Sequence, residues 1–482
     1  MSLSSALFSG ISGLSTLGNA MTVIGDNIAN VNTVGFKGSR VTFQDVLSQT
    51  VATTAGTAQV GRGTILADIS SSFAQGSFES TSSTTDLAIG GQGFFIVRDP
   101  NSANNEYYSR AGEFRFDKDG NFVNPAGYIV RGWALDADTG EDYGSITDIT
   151  LQSFTSSPRA TDHVTVIANL DSDAVSLTTD LETAWDGTAN PPIGGTAYEY
   201  QTSLKVYDSL GSTHDITVYY DHVSGSSWEY IITCNPTEDD RNGAAGGIGQ
   251  GLLARGTIVF NDSSGNIQDV TMQRFDADPS TNPAAIGNWD DTAPGSVNWV
   301  AAEIPNTNGY LEFTPEFIMG HPMGVEFDLG TRWDGSHWVP GSLSTSQYAT
   351  ASTTIFQSSN GYGAGDLQSV AVGTDGVITG QYSNGQVIPL YRVALAKFQN
   401  VQGLYKEGGN LYRETRVSGD PITGRPGSNG LGSLSPNSLE QSNVDIATEF
   451  VKMITTQRGF QANSKIITVT DQMLAELINL KR

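Results

Sequence analysis

Two apolar stripes, one at each end of the chain, limit what this sequence can fold into. Leu7, Leu14, Met21 and Ile28 lie seven apart, and Leu3, Leu17, Ile24 and Val31 fall on a second register of seven that only Gly10 interrupts. This is an a/d pattern over four heptads, the mark of a helix with one apolar seam for a partner helix. Near the other end Ile446, Met453, Phe460, Ile467 and Leu474 repeat the period, flanked by Phe450, Ile454, Leu477 and Ile478. A helix of about 28 residues is about 40 Å long, and each side chain buried along it stabilises by about 1.5–3 kcal/mol. These residues are the expected assembly seam.

Charge usage argues that the seam is not a lid over an ordinary core. Between Met1 and Phe36 the one charged residue is Asp26, and the face opposite the seam is Ser, Thr, Gly, Ala and Asn. A solvated helix carries charge on its outer face, so this one is expected to have close neighbours on several sides. One partner helix cannot supply them, and further copies of the chain are expected to. No basic region precedes the apolar positions, and Ser, Gly and Asn break every run. Neither a cleaved signal peptide nor membrane insertion is therefore expected, and no stretch is expected to reach the apolar length of a spanning helix.

A chain of 482 residues can hold two to four domains with proper cores. Its net charge of −26 argues against nucleic-acid binding, which needs a basic stripe. Residues 156–360 hold 26 acidic and 6 basic side chains, so that segment carries −20 of the total. An acidic middle facing water on a near-neutral frame that packs on copies of itself is the expectation. Cys234 is the single cysteine, which excludes an intrachain disulfide and a thiolate metal site.

Along the chain, Asn27-Ile28-Ala29-Asn30-Val31-Asn32-Thr33-Val34-Gly35-Phe36-Lys37 reads as a helix stop with a directed exit, because Asn tolerates and Gly prefers left-handed backbone. From Gly38 to Ser72 an extended arm is expected, since Val60, Ile65, Leu66 and Ile69 are more apolar than a linker needs. Asp86 to Val97 reads as two buried strands about a glycine turn. Its glycines are not a dinucleotide loop, because the run Phe94 to Val97 that follows is of β type. Asp117-Lys118-Asp119-Gly120-Asn121 is expected to be a hairpin turn rather than a calcium loop, since Tyr128 stands where the bidentate Glu belongs. Alternating strands at Leu204 to Tyr207, Ile216 to Tyr220, Trp228 to Thr233 and Gly256 to Phe260, with tight turns at Asp208, Asp262 and Asp334, predict a β sandwich or barrel for residues 156–360. Asn235 to Gly251 is a candidate crossing between two lobes. Ser442 is expected to cap the last helix, with Asp445 reaching back.

The Asn27 to Lys37 stretch resembles the signature of the flagellar rod and hook protein family, carried here by Asn27, Asn30, Asn32, Thr33, Gly35 and Phe36. The Asp86 to Phe95 segment, the Arg110-Ala111-Gly112-Glu113-Phe114 hairpin, the run from Val370 to Tyr412, and Ser442-Asn443-Val444-Asp445 with Phe460-Gln461-Ala462-Asn463 are similar to the family's other motifs. The resemblance covers about half of the chain and both ends. It implies a mainly β fold with terminal α-helices. Residues 1–32 with 434–482 are expected to form a coiled-coil core domain and 33–72 with 422–433 a connecting arm. Residues 73–155 with 361–421 are expected to form a discontinuous inner β domain, and 156–360 an inserted outer β domain of one lobe or two.

No HExxH, nucleophile elbow, Walker loop or cysteine pair is present, so no catalytic, cofactor or metal site is expected. The resemblance implies a structural subunit of the hook branch, assembling into a curved tube that passes torque from rod to filament. It also implies rod, cap and junction proteins as partners, export unfolded through the flagellar type III apparatus, and an extracellular place on the flagellum. Distal rod proteins share both terminal signatures but lack so long an inserted segment. A secreted β-rich adhesin or enzyme oligomerised by its ends is the alternative from another class. Some members of the family join subunits covalently through a cysteine and a lysine, and Cys234-Asn235 with Lys205 resembles that arrangement. Burial as a small core residue is the competing expectation for Cys234.

Overall fold

The computed structural model describes residues 3–479 except 54, 55, 103, 104, 138, 152, 178, 179, 243, 279, 286 and 303–307. It divides into two compact units, Met1–Phe154 with Leu367–Arg482, and Thr155–Asp366.

In the first unit the heptad stripes are helical. The N-terminal helix covers Leu3–Ala29 and the C-terminal helix Ile446–Asn479. A Cβ on Gly10 would meet Ile467, and Leu17 lies against Gly459. Asn27 meets Glu449. Residue numbers rise on one helix as they fall on the other, so the pair is antiparallel. The cap of the second helix differs from expectation. That helix starts at Ile446, so Asp445 is itself the cap, its carboxylate accepting the Thr448 N–H at 2.7 Å. Ser442 accepts the Val444 N–H in the turn before. The hydropathy expectation also needs correction. Ala6–Ala29 is long enough to cross a membrane and holds an 18-residue window of mean hydropathy 1.3. The missing charges raise its mean although no run is continuous, and one such helix near a terminus is weak evidence for a span.

After the helix, Ser39–Asp45 pairs antiparallel with Thr64–Ser71, and Gln49–Thr53 pairs with Gly56–Val60 beyond them. The arm is thus a long hairpin. It lies along its own N-terminal helix, where Ser12 accepts the Thr64 N–H at 3.2 Å and the Thr16 and Thr64 hydroxyls meet at 3.2 Å.

The β body of this unit is discontinuous in sequence. Phe94–Arg98 pairs with Leu395–Lys397, Glu106–Ser109 with Leu411–Arg413, and Ile129–Leu135 with Val387–Val393. The expected strands about the glycine turn exist, but they diverge: Leu87–Gly90 pairs with Ser433–Pro436 instead of its neighbour. Their alternate side chains fill one core, in which Phe95, Phe122 and Val130 from the first half meet Val393, Leu395 and Leu434 from the second. The Asp117 turn is a hairpin turn, its carboxylate accepting the Asp119 and Asn121 N–H groups at 2.9 and 2.8 Å.

In the second unit six antiparallel strands run in sequence order: Tyr200–Tyr207, Thr213–Ser224, Ser227–Cys234, Leu252–Phe260, Ile267–Phe275 and Trp299–Ala301. A five-stranded sheet forms around His163–Asp171. Period two decides the packing. Tyr230 and Ile232 point into a core shared by the two sheets, and Ile231 points into a second cluster with Trp185, Phe275 and Trp299. Residues 235–251 are not a crossing between lobes. They loop out between adjacent strands of one sheet and return, with the Cys234 N–H on the Gly251 carbonyl at 2.8 Å.

Candidate assembly site

The line of closest approach between the terminal helices is set by small residues. A side chain at Gly13 would meet Asn463 at 2.8 Å, and Gly10, Leu17, Ala20, Ile24 and Asn27 continue that line along the N-terminal helix. Small side chains let two backbones approach closely. Of the expected seam, Leu17 and Ile24 stand on this line. Leu7, Leu14, Met21 and Ile28 flank it, half-buried, whereas Val31, expected on the helix, lies in the turn after it because the helix ends at Ala29. The Leu3 side chain lies outside the described residues. On the C-terminal helix Met453, Ile467 and Leu474 are half-buried, whereas Ile446, Phe450 and Phe460 are exposed. Among the described residues the buried positions there are Glu449 and Thr470.

Most of the large apolar side chains of the C-terminal helix therefore point away from its partner. Ile446, Phe450, Val451, Ile454, Phe460, Ile466, Met473 and Ile478 are 39–68% exposed, and Phe8 and Ile11 of the N-terminal helix are similarly open. Ile446, Phe450 and Ile454 stand four apart and share a face. Exposed apolar side chains in this number along both helices mark interaction surface rather than ordinary scatter.

At the base of the helix pair the signature residues close a hub. Asn27 is buried. Its amide oxygen accepts the Ser39 N–H at 2.8 Å, and its amide nitrogen donates to the Ser39 carbonyl at 2.8 Å and to Glu449 at 3.3 Å. Asn30 donates to the Asp26 carbonyl and accepts the Thr33 hydroxyl, winding the turn, while Asn32 is exposed. Gly35 has φ +70°, and a Cβ there would meet the Ala111 nitrogen at 2.5 Å, so both conformation and space demand glycine. The Phe36 ring lies under the Lys406 ammonium at 5.6 Å.

Beside this hub is a buried ionic knot. Lys37 and Glu440 are wholly buried and Arg110 nearly so. Lys37 Nζ donates to Glu440 Oε1 at 2.6 Å and to the Ala74 carbonyl at 2.9 Å. Arg110 Nη1 donates to Glu440 Oε2 and the Ile89 carbonyl at 3.3 Å each, and Nη2 to the Gly91 carbonyl at 2.6 Å. Burial pushes the Lys37 ammonium and the Arg110 guanidinium below their usual ranges, while Glu440 partly restores both. Sequence reasoning named Lys37 and Arg110 within motifs and missed Glu440. Two cations inside otherwise apolar and glycine-rich motifs were the signal that a buried carboxylate had to exist.

Elsewhere, among the described residues, no group of three His, Cys, Asp or Glu is placed to hold a metal. Cys234 is buried in the core of the second unit, and burial pushes its thiol far up. Lys205 is exposed on Tyr200–Tyr207 of the same sheet.

Terminal helices coiled on each other, apolar outside, with a discontinuous β body strung between them, are the anatomy of a flagellar axial protein. Family models match in that order: the flagella basal body rod protein at residues 7–37, the flagellar hook protein FlgE/F/G D1 domain at 88–173, the flagellar basal body protein FlaE D2 domain at 169–362, and the flagellar basal body rod FlgEFG protein C-terminal region at 435–480. The flagellar hook protein FlgE of Borreliella burgdorferi is 34% identical over 99% of both chains, and that of Treponema pallidum 31% identical over 99% of both. That of Escherichia coli is 29% identical over 98% of both. The chain belongs to the flagellar hook protein family.

Proposed function

We propose that this chain is the structural subunit of the bacterial flagellar hook, polymerising into a curved tube that passes torque from rod to filament. The observation that carries the reading is the set of large apolar side chains that the terminal helix pair leaves exposed. Copies related by a helical operator would cover them with each other's helices and leave an open-ended contact that grows until capped. In this reading the assembly seam is the residue set named from the heptads together with Phe8, Ile11, Val451, Ile466 and Met473, save that Leu17 and Ile24 serve the contact within the helix pair. The helices line the channel, the discontinuous β body forms the wall, and the acidic inserted unit faces water. The division into core, arm, inner and outer domains belongs to the same reading.

The role is mechanical, without catalysis. Its partners are copies of itself, the rod, the hook cap and the hook-filament junction proteins. The chain leaves the cell unfolded through the flagellar type III apparatus, without membrane insertion, and works outside it. The test is electron microscopy of purified protein brought to polymerising conditions. Short curved tubes are expected; straight rods would favour the distal rod reading, and closed oligomers would contradict both.

A further inference from the structure

We propose that Lys37, Arg110 and Glu440 are positioning residues: their buried knot fixes the direction in which the helix pair leaves the β body of its unit, and through that the curvature of the polymer. The curvature half rests on the hook reading above.

The argument starts from energetics. Removing an ion from water costs several kcal/mol even after relaxation, and apolar side chains of similar volume hold such a site at least as stably. Stability alone therefore does not account for three charged side chains buried together. What they supply is direction, because a hydrogen bond weakens steeply outside a narrow range of distance and angle, whereas apolar contact is non-directional. Location makes the direction matter. The N-terminal helix runs into the arm through residues 30–38, the arm enters the β body through 72–77, and the β body runs into the C-terminal helix through 440–445. The knot touches all three, through Lys37, the Ala74 carbonyl with the Gly76 N–H, and Glu440. Glu440 ends the strand Ser438–Glu440, its carbonyl accepts the Gly35 N–H at 2.7 Å, and its carboxylate also accepts the Gly76 N–H at 2.9 Å. Asn443 reinforces it, accepting the Gly38 N–H at 2.9 Å and donating to the Ser72 and Ala74 carbonyls at 2.7 and 2.9 Å. Three charged side chains thus tie together five segments that are remote in sequence. The base of the helix pair is consequently rigid, and bending of the polymer has to occur elsewhere.

The test uses full-length protein. Arg110→Lys keeps the charge, but one ammonium cannot reproduce the planar fork that reaches Glu440, Ile89 and Gly91 together. Lys37→Met with Glu440→Gln removes one charge of each sign. Monomer melting and the curvature and helical rise of the tubes are measured for parent and variants. The expected result is an Arg110→Lys monomer that melts within a few degrees of the parent, with both variants giving tubes whose mean curvature or rise falls outside the parent's scatter. Parent geometry in either variant that folds would overturn the proposal. So would loss of fold in both, since the knot would then serve stability. A parent that forms no tube contradicts the hook reading instead.

Discussion

Gly35 and Gly127 separate two reasons for keeping a glycine. Both have positive φ, but a Cβ on Gly127 would meet open space, whereas one on Gly35 would strike the Ala111 backbone. Gly127→Ala should cost about 1–2 kcal/mol, the left-handed penalty alone. Gly35→Ala should cost clearly more, read as a larger fall in melting temperature. Glu229 supplies a pH test in the second unit. Burial, with Glu182 and Asp180 adding like charge, pushes its carboxyl up to about 7. A carboxyl raised on folding favours the folded state at low pH, and that contribution is lost as pH rises from the ordinary carboxylate range through about 7. Glu229→Gln should therefore melt like the parent at low pH and higher than the parent above neutrality, followed by calorimetry. A variant that melts lower than the parent above neutrality would refute the assignment. Cys234 should resist thiol reagents in the folded chain and react once the chain is unfolded, because its buried thiol does not ionise. Rapid labelling of native protein would contradict its burial.

At the scale of the element, the terminal helices give the clearest separation of folding from assembly. Phe450→Asp with Ile454→Asp alters side chains that are about half exposed. It should leave monomer melting unchanged and abolish polymer. Ile24→Ala lies on the buried line and should cost the monomer about 2–5 kcal/mol. Equal loss of monomer stability in both would merge the two faces that the structure separates. The heptads made both helices legible in the sequence, and the signature located the end of the first. Which stripe faces the partner was not legible. Two apolar registers compete along the N-terminal helix, and the choice fell to Gly10, Gly13 and Ala20, whose significance is their lack of bulk. The cap moved from Ser442 to Asp445 because either residue can accept an N–H, and only the helix start decides between them. Glu440 was invisible because its partners lie hundreds of residues away.

For the whole molecule, the sequence carried the interrupted architecture through its motifs and its charge. The inserted segment's alternation predicted strands but not their pairing, since residues 235–251 return to the sheet they leave. The account as a whole claims that the ends of the chain exist to be covered by other copies. The most direct measurement compares, by electron microscopy under one set of polymerising conditions, the full chain with residues 30–445 alone. The account predicts tubes from the full chain and none from the shortened one, with the melting transition of the second unit retained in both. Tubes of the same form from residues 30–445 would contradict it.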